Sequence, residues 1–83
     1  MQYKIVFTKR AAKDVSGLEP DVRERIGESL KRYSSDPLSY ARKMIDSSLG
    51  SYRFRIGDYR VIFDLEDGKI VVLRVGHRRE VYR

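Results

Sequence analysis

Ser51-Tyr52-Arg53-Phe54-Arg55-Ile56-Gly57-Asp58-Tyr59-Arg60-Val61-Ile62-Phe63-Asp64-Leu65 reads as two strands joined by a tight turn. The alternation has the period of a half-buried strand: Tyr52, Phe54 and Ile56 fall on one face, Arg53 and Arg55 on the other. Gly57-Asp58 is a two-residue hairpin loop, with glycine at the first position, where a type II′ turn requires positive φ. Beyond it Tyr59, Val61, Phe63 and Leu65 share a face, and Arg60, Ile62 and Asp64 take the opposite one.

A third strand follows, and the length of its loop decides how it faces. A two-residue Asp67-Gly68 turn pairs Leu65 with Ile70 and puts Arg74 on the face of Tyr59, Val61 and Phe63. A three-residue loop, Glu66-Asp67-Gly68 with Gly68 left-handed, pairs Leu65 with Lys69 and groups Val71, Leu73 and Val75 with the apolar face. A slip of one residue exchanges the faces, so burial selects the three-residue loop. In that register Arg55 stands opposite Arg60 and Arg60 opposite Arg74, with Arg53 on the same face. Like charges directly opposite one another destabilise a sheet. An anion is therefore expected between them, and phosphate suits the guanidinium fork best. The bland alternative is a solvated face with its arginines splayed apart.

Upstream, Gln2–Phe7 alternates and reads as a first strand with Tyr3, Ile5 and Phe7 on one face. Thr8 is an N-cap for a short helix to about Ser16, with Ala11, Ala12 and Val15 inward and Gly17 as its stop. Pro20 opens a second helix. Val22, Ile26, Leu30 and Tyr33 make an amphipathic stripe about 14 residues long that covers the sheet. Ser34-Ser35-Asp36-Pro37 ends it. From Leu38 to Ser48 the pattern is weak, and Tyr40, Ala41, Met44 and Ile45 suit a single helical turn or a packed loop. The order is an N-terminal strand, two helices, then a three-stranded antiparallel meander. That is a small single α+β domain over residues 1–83, with helices packed on one face of the sheet and the other face open.

The chain has 83 residues, of which 41% are apolar and 36% charged, a globular composition. It has no cysteine, which fits a reducing cytoplasm and removes disulfides and thiolate zinc sites. The longest apolar run, Ile70–Leu73, falls far short of the ~20 residues that span a bilayer. The N-terminus lacks a signal-peptide apolar core, so no membrane partner is expected. The net charge of +6 points to a polyanionic or acidic partner. Basic residues through Gly50 are five Lys and five Arg, and seven of the eight after it are Arg. Solvation alone would be served by Lys, whereas bidentate contact with phosphate or carboxylate favours Arg. One His and no Cys make no metal constellation, and no nucleophile motif or Gly-rich phosphate loop occurs, so no metal or cofactor is expected. The tail from Gly76 holds the lone histidine, His77, three arginines and a late aromatic, Tyr82. Gly76 permits a bend or bulge that re-aims them.

Tyr52-Arg53-Phe54-Arg55-Ile56-Gly57-Asp58-Tyr59-Arg60-Val61, followed by Val75-Gly76-His77-Arg78 and Val81-Tyr82, resembles the RelE/ParE toxin superfamily of type II toxin–antitoxin modules, the RelE-like branch most of all. The likeness spans nearly the whole chain. RelE-type members are ribosome-dependent endoribonucleases that cut mRNA. ParE-type members share the fold and poison DNA gyrase without cutting nucleic acid. Both are neutralised by a cognate antitoxin whose C-terminal segment wraps the toxin. The resemblance implies that Arg60 and Arg78 contact phosphate and stabilise the transition state, and that Tyr82 stacks on or orients the substrate nucleotide. Arg53 and Arg55 fall where RelE proper carries two lysines, one the proposed general base, and with Arg74 they are expected to bind RNA phosphate. Arginine stays protonated at any working pH. That substitution leaves His77 as the titrating group and Tyr82 as a possible acid. The expected partners are a cognate antitoxin and mRNA on the ribosome, or alternatively DNA gyrase.

Overall fold

The strands and helices follow from local chemistry, and the sheet assembles them. The computed structural model describes residues 2–46 and 48–82; Arg83, part of the basic tail, lies outside them. The elements in chain order are β1 (Lys4–Phe7), α1 (Lys9–Ser16), α2 (Pro20–Tyr33), α3 (Pro37–Tyr40), β2 (Ala41–Lys43), β3 (Tyr52–Ile56), β4 (Tyr59–Glu66) and β5 (Lys69–His77). They form one five-stranded sheet in the order β1-β5-β4-β3-β2, with β1 parallel to β5 and the other pairs antiparallel. The α+β class and the meander stand as expected. The strand β2 is additional: three residues after the single turn of α3 pair with β3, a segment too short for alternation to announce.

Thr8 caps α1, its side-chain oxygen accepting from the Ala11 N–H at 3.1 Å. Pro20 occupies the first turn of α2, where its missing N–H is not needed. Ile26 and Leu30 of α2 and Ala11 of α1 pack on Phe54, Ile56, Val61, Phe63, Ile70, Val72 and Val75 of the sheet. Phe54 and Phe63 stack with centroids 4.2 Å apart at the centre of this core. One inward assignment fails, since Ala12 is exposed on the side of α1 turned from the sheet; Phe7, at the end of edge strand β1, is exposed as well.

The first hairpin has the expected register, with Arg55 opposite Arg60 and Gly57 at φ +59°. The second does not. Its loop is the two-residue Asp67-Gly68, both at positive φ (50° and 74°), and Leu65 pairs with Ile70. A β-bulge then adds one residue to β5 at Leu73, between the partners of Phe63 and Ile62. The tight turn lets Ile70 and Val72 enter the core, and the bulge returns Val75 to it after a spacing of three. Val71 and Leu73 are thereby excluded from that face, and Arg60 stands opposite Gly76 rather than Arg74.

The far face is not open either. Ile62, fully buried there, gathers Met44 and Val81, with Leu49 and Leu73 packed alongside. The loop after β2 and the tail after β5 thus fold back over the sheet. Gly76 provides the room: a Cβ there would lie 3.4 Å from that of Val81. Gly50, at φ +150°, lies so close to Ile62 that a Cβ would stand 2.6 Å from its Cγ2.

Candidate functional site

The far face of β3 and β4, next to this small apolar patch, carries the site. Arg55 and Arg60 are cross-strand partners there, and Arg53 precedes Arg55 by two and shares its face. Arg60 is only 7% exposed. Its Nη1 donates to the carbonyls of Gly57 and Tyr59, both at 2.9 Å, which pins the guanidinium against its own hairpin. Burial pushes Arg60 below the ordinary arginine value, and the charges of Arg55, Arg53 and Arg78 push the same way; among these neighbours only Tyr82 pulls it up.

The tail brings Arg78 and Tyr82 to this group. The Arg78 N–H donates to the Asp58 carbonyl at 2.8 Å, fixing the tail to the tip of the first hairpin. His77 O then accepts from the N–H groups of Glu80 and Val81, closing a turn, and buried Val81 anchors it beneath Tyr82. The Tyr82 hydroxyl accepts from Arg53 Nη1 at 3.3 Å. Arg53 Nε is buried with no partner. Buried donors are nearly always satisfied, so this one stands out beside the cation cluster.

Among the described residues the ion pairs are Arg10–Asp14 at 3.7 Å and Arg74–Asp14 at 2.9 Å. None of Arg53, Arg55, Arg60 and Arg78 is in one. Four arginines are therefore grouped around Arg60 with none in an ion pair among the described residues.

Two residues expected here are elsewhere. Arg74 pairs across the sheet with Ile62, and its Nε donates to Asp14 of α1, which also accepts the Val75 N–H at 3.0 Å. The bulge displaces it from Arg60, and α1 claims it. His77 is the partner of Tyr59 on the helix-facing side, their rings edge-to-face at 5.6 Å, and its Nδ1 accepts from the Arg79 N–H at 3.2 Å. The sheet lies between His77 and the arginine group. The sequence reading also missed Arg42, which β2 places directly opposite Arg53. A cavity of about 740 Å³ opens beside that pair, lined by Arg42, Met44, Ile45, Leu49, Arg53 and Tyr82 among others.

A helix-backed sheet presenting clustered arginines and a tyrosine describes a small basic α+β domain, and comparisons with known proteins give its kind. The family model described as the ParE toxin of the type II toxin-antitoxin system parDE matches residues 5–82. Toxin RelG of Mycobacterium tuberculosis is 30% identical over 86 residues, covering 100% of this chain and 99% of RelG. The toxin–antitoxin complex RelBE2 of the same organism contains a chain that superposes with a TM-score of 0.83 at 28% identity, covering 94% of this chain and 100% of that one. A mutant of Escherichia coli toxin RelE in the free state gives 0.78 at 26% identity, covering 99% and 92%. The chain belongs to the RelE/ParE superfamily of type II toxins, on its RelE-like side.

Proposed function

We propose that this toxin is an endoribonuclease that cuts messenger RNA on the ribosome and is held inactive by a cognate antitoxin. One observation carries the reading: Arg60 is buried among Arg53, Arg55 and Arg78 and is in no ion pair among the described residues. Burying a guanidinium against neutral carbonyls alone is unfavourable, and an incoming phosphate would offset that cost.

The reaction is attack of a ribose 2′-oxygen on the adjacent phosphorus. The P–O bond to the next nucleotide breaks, leaving a 2′,3′-cyclic phosphate and a free 5′-hydroxyl. Charge gathers on the non-bridging oxygens, where Arg60, Arg78 and one of Arg53 or Arg55 stabilise it. The Tyr82 hydroxyl gives a proton to the departing 5′-oxygen while its ring stacks a base. With His77 on the other side of the sheet, the 2′-proton leaves to solvent or to a ribosomal group. Arg74, tied to Asp14, takes no part.

The antitoxin is an acidic or amphipathic segment that wraps a chain of net charge +6; a similar M. tuberculosis chain is solved within a toxin–antitoxin complex. The cytoplasm, which holds ribosomes and message, is the place of action. Among the described residues no helix is long and apolar enough to cross a membrane.

A second reading, inhibition of DNA gyrase without cleavage, is favoured by the lack of a group titrating near neutrality among the clustered arginines and by the matching ParE family model. The test is to add the protein to ribosomes translating a defined message and map 3′ ends by primer extension. Cuts positioned by codon, lost in Arg78→Ala and Tyr82→Ala, are the expected result. Intact message together with inhibited DNA supercoiling would establish the gyrase reading instead.

A further inference from the structure

The cationic face does not stop at β3. Arg42 of β2 stands directly opposite Arg53, so the two side chains leave the same side of the sheet on neighbouring strands. Neither arginine of this second like-charge pair is in an ion pair among the described residues; Asp46 and Lys43 line the same cavity, and Arg53 Nε is buried without an acceptor. Beside them the loop after β2 forms one wall of the 740 Å³ cavity, with Tyr82 and Arg53 on the other side. That volume lies in the range of small-ligand sites. Its wall is apolar where it meets Tyr82: Met44 is buried beneath, Leu49 packs on Ile62, and Ile45 projects fully into solvent. Asp46 stiffens the loop by accepting from Ser48, whose hydroxyl and N–H hold its carboxyl below the usual carboxylate range. An isoleucine presented to water beside a tyrosine ring and two arginines has the makings of a nucleotide seat: a flat apolar platform with cations at its rim.

We propose that Arg42, Ile45 and the face of Tyr82 form a subsite for the nucleotide next to the one being cut. Arg42 holds the phosphate that flanks the scissile one, and Ile45 packs on the base between β2 and the tail. This rests on the nuclease reading and deepens it. Single-stranded RNA is the occupant the features select: the phosphate contact carries no sequence information, and an apolar platform accepts any base.

The experiment replaces single linkages of a ribosome-bound message with neutral methylphosphonates, one step to either side of the cut, and measures kcat/KM for wild type, Arg42→Ala and Lys31→Ala. Lys31 lies on α2, away from this face, and controls for loss of one positive charge. In wild type, neutralising one of the two flanking linkages should slow cleavage about tenfold, the worth of one charge-assisted hydrogen bond. Arg42→Ala should show a similar loss on unmodified message and none further from that linkage, while Lys31→Ala keeps the wild-type rate and sensitivity. Ile45→Ser should raise KM with kcat little changed. Losses that multiply at both linkages in Arg42→Ala, or Lys31→Ala matching Arg42→Ala, would overturn the subsite and leave the nuclease reading standing. Wild type that does not cut the unmodified message would remove both.

Discussion

Arg60 is held in a place that a protein selecting only for stability would give to a neutral side chain. The protonated form is the one penalised, so the penalty persists at every pH below the lowered folded value and lifts only as pH rises past it. Stability should therefore not depend on this group between about pH 5 and 9, well below where arginine titrates. What Arg60 returns to the fold is two hydrogen bonds to hairpin carbonyls. Each contributes about 0.5–1.5 kcal/mol, comparable with the relief of removing the charge. Arg60→Met should unfold within about 1 kcal/mol of wild type in urea while cleavage falls at least ~100-fold. A large loss of stability would mean that the arginine is a structural strut.

Elements decide where each arginine ends up, and β5 is the instructive case. Asp14 accepts both the Arg74 side chain and the Val75 N–H, so one carboxylate fastens α1 to the strand just beyond the bulge. Asp14→Ala leaves a cation and an edge N–H without partners and should lower the unfolding free energy by about 2–3 kcal/mol, as read by chemical denaturation. Arg74→Ala should leave the cleavage rate as it is. In the core that α1 and α2 cover, Phe63→Ala should remove about 3–5 kcal/mol by opening a cavity between Phe54 and Tyr52. Alternation made β3, β4 and the Arg55–Arg60 pairing legible in the sequence. It misplaced Arg74 because a tight Asp-Gly turn and a bulge offset one another in their effect on facing, and a pattern of period two carries no mark of an inserted residue. Arg42 went unseen for a related reason, since three residues do not make a period.

At the scale of the molecule, the helices and the first core back the sheet that carries the arginines on its far side, and the second small cluster ties down the tail that completes the group. The sequence located the basic residues and the family. It did not locate His77, whose side of the sheet depends on the register of β5. With the strand in its true register the site is a group of cations and a phenol, and the chemistry it supports is charge stabilisation rather than proton abstraction.

The central claim is that these cations form a seat for phosphate before any partner arrives. The measurement closest to it is thermal unfolding of the free domain with a non-cleavable 2′-O-methyl RNA trinucleotide, comparing wild type with Arg60→Met. At a ligand concentration about 100 times Kd, binding to the folded state should add about 2.7 kcal/mol to wild type, raising its Tm, and leave Arg60→Met close to its own baseline. An unchanged Tm in wild type, or an equal rise in both, would contradict the claim.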